Sequence, residues 1–388
     1  MWIKRLGLED FRNYDREAVD FAPGLNLIRG RNAQGKTNLL EAVHCLSGLG
    51  SPRSHDSALV RDGTERALVH AELERGARPL RIDVEIRPGR GTKALVNRTP
   101  IPRTRSLTEF VVTVFFGPDE LSLVKGSPDG RRRFLDELGI KLRPAREGTR
   151  REWDRVLKQR NALLKSARRG SLDPSMRATL EVWDDALCRT GAAVAAARLH
   201  ALADLIPYAS KRFEEVAGGG RLDLSYVSSW LESEETAAAL VDPSTISELS
   251  LAEHLRSKLE ASRRQELERG MSLVGPQRDD VLVRLASAGD EGAGLLEART
   301  FASQGDQRTS ALALKLAEHD LLRETLGEEP ILLLDDVFSE LDPQRRSWLG
   351  DAVGHLAQTL VTSATATDSD SAKAAHVIEV DAGRVMSV

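Results

Sequence analysis

Residues 30–37 read Gly30-Arg31-Asn32-Ala33-Gln34-Gly35-Lys36-Thr37, two glycines separated by four residues, then a lysine and a threonine. Glycines at these positions let backbone amides turn inward and cradle phosphate oxygens with no Cβ in the way. A helix starting at Lys36-Thr37 adds its positive N-terminal end. Lys36 is placed to reach β- and γ-phosphates, and the Thr37 hydroxyl to ligate Mg²⁺. An ordinary glycine turn is the plain alternative; average residue usage yields such a match in roughly one chain per hundred of this length. The strand-like run before the loop and the helix-like run after it favour the phosphate reading.

A second candidate is Ile331-Leu332-Leu333-Leu334-Asp335-Asp336, an apolar run ending in two carboxylates. Such a run reads as a strand buried on both faces of a parallel sheet. Asp335 is expected in the Mg²⁺ shell, and Asp336 is expected to orient or deprotonate an attacking water. Many buried strands end in Asp, so this signal gains weight only beside the phosphate loop. Nearly 300 residues separate Lys36 from Asp335, which suits an ATPase head assembled from both ends of a chain. Just upstream, Ser303-Gln304-Gly305 precedes a segment of helical periodicity and offers a hydroxyl and bare backbone at a helix start, a second anion-binding surface. A plain N-cap is the alternative there.

The intervening sequence must position these groups. The first hundred residues read as strands with short turns; Leu68–Leu73 and Leu80–Ile86 alternate at period two. Val111–Phe116 looks like a buried strand. From about Gly130 to Ala217 the pattern is mostly helical, broken near Arg169-Gly170-Ser171 and Asp173-Pro174. Gly218–Gly220 reads as a loop, Ser250–Gly270 as a helix and Val281–Leu285 as a returning strand. Residues 1–125 and 275–388 are therefore expected to form one mixed α/β head, with 126–274 an inserted, mainly helical lobe or short arm.

Composition bounds the rest. The 388 residues are 41% hydrophobic and 29% charged, as in soluble globular proteins. No apolar run approaches the roughly 20 residues a bilayer requires, and no secretory leader is expected after Met1-Trp2-Ile3-Lys4-Arg5. The two cysteines, Cys45 and Cys188, lie far apart in helix-like segments, which argues against a disulfide framework or a Cys-X-X-Cys zinc site. A cytoplasmic setting follows as the expectation. Net charge is -4, yet Lys125–Arg169 holds 15 Lys/Arg against 6 Asp/Glu, while Leu231–Glu260 is acidic. The basic stretch, with Lys125, Arg131, Arg132 and Arg133 together near an expected helix start, reads either as solvated helix faces or as a phosphate-neutralising surface; DNA as the phosphate source is implied only by the family resemblance described next.

Taken together, these blocks resemble the RecF family within the ABC-type ATPases. Ser303-Gln304-Gly305 looks like the ABC signature, and Ser339-Glu340-Leu341-Asp342 resembles the D-loop. Leu8–Tyr14, Gly30–Ala42, Gly117–Pro128 with Arg131–Asp136, Gly275–Asp280 and Asp335–Asp342 occur in the family order across nearly the whole chain. Departures are Gln277 where relatives commonly have His, Asp306 where they have Gln, no Gln between Asn97 and Lys125, and no His in Thr359–Ser363.

The resemblance implies an ABC-type head, a mixed sheet with a phosphate-loop core and an inserted helical lobe. It implies an ATP-dependent homodimer with each nucleotide between Gly30–Thr37 of one subunit and Ser303–Gly305 of the other, Lys36 and Asp336 acting in weak hydrolysis. It also implies binding to gapped DNA near single-/double-strand junctions and work with RecO and RecR in placing RecA, with no membrane. A transporter nucleotide-binding subunit, a short chromosome-organising ATPase and a soluble phosphotransferase are the rival classes. The Asp335-Asp336 pair and the Gly275–Asp280 block weigh against the first. Chain length and the missing zinc-hook cysteines weigh against the second. The signature would have no task in the third.

Overall fold

The computed structural model describes residues 1–76, 78–169, 173–286, 294–364 and 374–387. In chain order the elements are β1 (Trp2–Phe11), β2 (Tyr14–Asp20), β3 (Gly24–Arg29), α1 (Lys36–Cys45), β4 (Ala67–Arg75), β5 (Arg78–Arg87), β6 (Gly91–Val96), β7 (Thr99–Pro100) and β8 (Thr113–Phe116). There follow α2 (Ser122–Lys125), α3 (Pro128–Leu142), α4 (Arg146–Arg169), α5 (Pro174–Ala217), β9 (Arg221–Val227), α6 (Ser233–Val241), α7 (Glu248–Arg269), β10 (Asp280–Ala286) and β11 (Leu296–Glu297). The last are α8 (Ala298–Phe301), α9 (Gln304–Leu326), β12 (Ile331–Asp335), α10 (Pro343–Gly354), β13 (Gln358–Ser363), β14 (His376–Asp381) and β15 (Arg384–Ser387).

These elements fall into two compact units. The first holds Met1–Leu121, Arg212–Gly219 and Gln304–Val388. Its antiparallel sheet runs β2-β1-β4-β5-β6-β7, and its second sheet runs β15-β14-β3-β13-β12-β8. In the second sheet β14, β3, β13, β12 and β8 are parallel neighbours, and β15 closes one edge antiparallel. All five residues of β12 and all six of β13 are buried, as central parallel strands require. The antiparallel strands alternate instead, so β4 buries Ala67, Val69, Ala71 and Leu73 and turns the residues between them outward. One core cluster joins these side chains to Leu39, Leu40 and Val43 of α1 and to Ile331 and Leu333 of β12. That burial fixes the helix that carries the phosphate loop.

The second unit holds Ser122–Lys211 and Gly220–Ser303. Its core packs Trp153 and Val156 of α4, Leu187 and Ala195 of α5, Leu255 and Leu259 of α7, and Trp230. Arg160 is fully buried there and bonds Asp184 at 2.7 Å, Glu266 at 2.6 Å and Ser272 at 2.7 Å. A buried guanidinium is tolerable only with such acceptors and counter-charges, here one hydrogen bond from each of its three nitrogens.

Strand β10, which sequence pattern places with the head, pairs antiparallel with β9 from Asp280↔Val227 to Ala286↔Arg221. Its partner β9 begins at Arg221, directly after the expected loop Gly218-Gly219-Gly220, in a stretch for which the sequence pattern gives no strand. Helix α7 covers the expected Ser250–Gly270 segment, starts two residues earlier at Glu248 and stops at Gly270, whose φ of 69° supplies a left-handed cap. Residues 170–172, at the expected break between helices, lie outside the described residues. Among the described residues no helix is long and apolar enough to cross a membrane.

Candidate nucleotide site

The loop 30–37 leaves the carboxyl end of β3 and feeds α1 at Lys36, so it occupies the strand-to-helix junction where amides face outward. Two glycines are sterically required. A Cβ on Gly30 would lie 2.2 Å from the carbonyl oxygen of Val380. One on Gly35, at φ 119°, would lie 2.7 Å from Asn13 Nδ2 and 2.8 Å from the Tyr14 hydroxyl. Arg31, Asn32 and Ala33 are exposed, and Ala33 takes a positive φ of 63°.

Gln34 anchors the outer side of the loop. Its carbonyl accepts from Asn13 Nδ2 at 2.9 Å and from the Gly383 amide at 3.0 Å, and its side-chain Oε1 accepts from the Ala382 amide at 2.6 Å. Ala382 and Gly383, both at positive φ, form the two-residue turn joining β14 to β15. A hairpin at the far end of the sequence therefore braces the phosphate loop.

Lys36 Nζ donates to the carbonyls of Gly30 at 2.7 Å and Arg31 at 2.8 Å. Burial lowers the ammonium below its ordinary pKa, against the carboxylates of Asp336 and Asp335, which favour its charged form.

Thr37 Oγ1 donates to Asp335 Oδ1 at 2.8 Å, linking α1 to the end of β12 across 298 positions of sequence. The same oxygen accepts from Thr362 Oγ1 at 2.7 Å, and Arg53 stands 3.7 Å from Oδ2. Burial raises the Asp335 pKa; the hydrogen bonds from Thr362 and Thr37 and the charge of Arg53 oppose that rise, and Asp336 adds to it. Asp336 sits in the left-handed region at φ 52° and ψ 27°, an uncommon place for a residue with a side chain. Its amide donates to Thr362 Oγ1 at 2.9 Å, so one hydroxyl ties both acidic residues. Asp336 Oδ1 is buried with no hydrogen-bond partner among the described residues. A hydroxyl, the buried Asp335 carboxylate with the half-buried Asp336 beside it, and a nearby ammonium are the hard-oxygen donors and counter-charge that Mg²⁺ and a polyphosphate require, so these residues fit that ion.

Sequence reasoning passed over Arg53 and Thr362. Thr362 lies at the end of Thr359–Ser363, where a His was sought and where a hydroxyl beside the acidic strand was the available signal. Arg53 belongs to no motif; the loop carrying it is held by Ser51 and Ser54, both bonded to Glu41, which also receives two 2.8 Å hydrogen bonds from Arg12.

The remaining candidates take other positions. Gln304 and Gly305 open α9 and, with Ser303 before them, are exposed; none of the contacts above reaches these three. Ser339 Oγ donates to the Asp336 carbonyl at 2.8 Å. Leu341 is half-buried, and Asp342 caps α10 by accepting from the amides of Gln344 and Arg345 at 3.0 Å each. The Glu340 side chain lies outside the described residues.

The basic stretch needs correction. Arg131 is only 6% exposed and forms a two-point pair with Asp280 at 2.7 and 2.8 Å, with a further bond to the Gly126 carbonyl. Arg132 donates to the Asp279 carbonyl at 2.5 Å and to Asp129. These two guanidiniums hold the Gly275–Asp280 block to α3 and do not form a phosphate-facing surface. Lys125 and Arg133 are exposed. Arg150 and Arg160 are also engaged internally, so much of the local excess is neutralised within the unit.

Residues 2–385 match the family model of the RecF/RecN/SMC N-terminal domain. The DNA replication and repair protein RecF of Beutenbergia cavernae is 42% identical over 404 residues, and that of Streptomyces avermitilis 43% over 396, each alignment covering all of both chains. The chain belongs to the RecF family. Among solved structures, the recombination mediator protein RecF with ATP, from the RecFOR pathway, superposes with a TM-score of 0.87 at 28% identity, covering 100% of this chain and 97% of that one. An Smc head bound to the C-winged helix domain of ScpA gives 0.57 at 14% identity, covering 100% of this chain and 98% of that one, which speaks for the fold alone. The RecF-family chain thus has the fold of ABC-type ATPase heads, and the transporter and phosphotransferase readings give way to DNA replication and repair.

Proposed function

We propose that this RecF-family chain binds ATP with Mg²⁺ at Gly30–Thr37, hydrolyses it slowly, and uses the nucleotide to close a homodimer on gapped DNA in the cytoplasm during recombinational repair. The observation that carries the reading is the Thr37–Asp335 hydrogen bond, which joins a phosphate loop to a buried acidic strand end. The likeness to RecF solved with ATP supports the same ligand here.

Thr37 Oγ1 and Asp335 would hold Mg²⁺, which supplies charge neutralisation to the β- and γ-phosphates when bound. Loop amides and Lys36 would take the remaining phosphate charge. Asp336, held by Thr362, would orient the attacking water and accept its proton as the bond to the γ-phosphorus forms and the bond to ADP breaks. Asp336 is one methylene shorter than the Glu common in ABC heads, which favours slow hydrolysis and a switch over rapid turnover.

Ser303, Gln304 and Gly305 of a second copy would cover the nucleotide, with Ser339–Asp342 alongside. ATP then favours the dimer because it binds that state more tightly. Of the four candidates, Lys125 and Arg133 are the two left exposed to meet DNA. Work with RecR and RecO in placing RecA rests on family membership. Titrating gapped DNA into the chain with ATP, with ADP and without nucleotide tests the proposal: ATP should tighten binding at least tenfold, and Lys36→Arg should abolish the difference. Equal affinity in all three conditions would overturn it.

A further inference from the structure

The basic stretch is not wholly spent on internal pairs. Helix α4 holds nine Lys/Arg against three Asp/Glu. Each of those carboxylates is taken: Glu147 by Arg151 at 2.9 Å, Glu152 by Arg189 at 2.8 Å, and Asp154 by Arg150. Arg160 is neutralised in the core by Asp184 and Glu266. Arg155, Lys158 and Lys165 are exposed and form no ion pair or side-chain hydrogen bond among the described residues. Arg168 is exposed too, and its guanidinium meets only the Arg269 carbonyl, at 3.5 Å.

Packing fixes where these cations point. Trp153, Val156, Arg160, Leu164 and Ala167 are buried, so positions 155, 158, 162 and 165, three or four residues apart, share the opposite side of the helix. At 1.5 Å per residue the row from Arg155 to Lys165 is about 15 Å long, and Arg168 extends it to about 20 Å. The end of α7 adds one more charge. A Cβ on Gly270 would lie 3.3 Å from Lys165 Cα, so the two helix ends meet there. Arg269 is exposed beside them and pairs with no carboxylate among the described residues, while Glu268 is held by Arg264 at 3.0 Å.

A row of unneutralised cations calls for a polyanion. Protein interfaces draw their affinity from a buried apolar or aromatic centre, and this face has none: the exposed residues of α4 include no aromatic and nothing apolar beyond Ala162. The same composition removes the stacking platform that single-stranded nucleic acid uses, and the apolar side by which a helix enters a lipid surface. Duplex DNA needs neither, because its backbone carries one charge per about 1.7 Å of axis and counterion release supplies the affinity. We propose that the outer face of α4, through Arg155, Lys158, Lys165 and Arg168 with Arg269 beside them, docks on the phosphate backbone of duplex DNA without reading its sequence. This docking surface presupposes the DNA binding proposed above and is additional to Lys125 and Arg133.

The test uses the full chain, a labelled duplex of about 30 base pairs and its labelled single strand, read by fluorescence anisotropy at several salt concentrations. Arg155→Gln, Lys158→Gln, Lys165→Gln and Arg168→Gln are combined in one variant. It should bind the duplex at least tenfold more weakly, with the slope of log affinity against log salt reduced by about 3 to 4, roughly 0.9 per lost contact. Its affinity for the single strand should change less than threefold, and its melting temperature and ATP affinity should match the original chain. In the original chain, excess duplex should slow acetylation of Lys158 and Lys165 by an amine-reactive ester at least fivefold, a readout that needs no variant to fold. A folded variant with unchanged duplex affinity and salt slope, or lysines that acetylate equally fast with duplex bound, would overturn the assignment to α4 while leaving DNA binding by the chain intact. An equal loss for the single strand, or equal affinity for a charge-matched poly-glutamate peptide, would overturn the choice of occupant. An original chain that binds neither DNA would overturn this surface and the proposed function together.

Discussion

The Thr362 hydroxyl donates to Asp335 Oδ1 at 2.7 Å and accepts from the Asp336 amide at 2.9 Å, and Thr362 is fully buried. Thr362→Val keeps the shape and removes both bonds. Loss of a hydrogen bond to a charged group costs about 1.5–3 kcal/mol, and a buried amide left unpaired about 1–3 kcal/mol. Part of the second cost is relieved if Asp336 leaves its left-handed conformation, so the net loss should be about 2–4 kcal/mol. The same relaxation moves the carboxylate that positions water. A barrier increase of about 2.7 kcal/mol is about a hundredfold in rate. Urea unfolding, phosphate release and ATP titration would be run together. Thr362→Val should be destabilised by this amount, release phosphate about a hundredfold more slowly and bind ATP within a few-fold of the original chain, while Thr362→Ser should restore all three. A valine variant with the original unfolding midpoint and turnover would refute the reasoning.

Arg131→Ala should lower stability by about 2–3 kcal/mol in urea unfolding, because it breaks a largely buried ion pair, yet leave the DNA affinity of folded protein unchanged. Lys125→Glu with Arg133→Glu should instead weaken DNA binding and reduce the slope of log affinity against log salt by about 2, roughly one unit per lost phosphate contact, as read by anisotropy at several salt concentrations. Gly383→Ala places a Cβ 2.6 Å from the Asn13 carbonyl and should disturb the Gln34 anchor, weakening ATP binding about tenfold in calorimetry, or about 1.4 kcal/mol. Burial pushes the Asp279 carboxyl up to about 6, against hydrogen bonds from Tyr226, Ser228 and Trp230. The folded state then keeps a proton that the unfolded chain releases near pH 4, so stability should fall as pH rises from about 4 to 6 and level off above. Asp279→Asn should flatten thermal melts across that window.

The junction of β3, loop and α1 was legible because its signals are local: glycine spacing, an apolar strand before and helical periodicity after. The buried acidic strand was legible for the same reason, since Ile331–Leu334 has no polar side to expose. Thr362 was not, because its role depends on β13 lying beside β12, a fact of topology that no contiguous pattern carries. Arg53 depends likewise on a loop folding back through Ser51, Ser54 and Glu41. Arg131 was misjudged because a run of like charge does not reveal a partner 149 positions away at Asp280. Strand β10 looked like a return to the head because its alternation records one buried face and says nothing of which sheet supplies its neighbour; β9 proved to be that neighbour.

The measurement closest to the central claim is sedimentation of the chain with ATP, with ADP and without nucleotide, beside Ser303→Arg. A dimer with ATP alone that disappears in Ser303→Arg, while that variant still binds ATP as a monomer, is the predicted result. A monomer under all conditions, or a dimer indifferent to both nucleotide and Ser303, would contradict an ATP site shared between two copies.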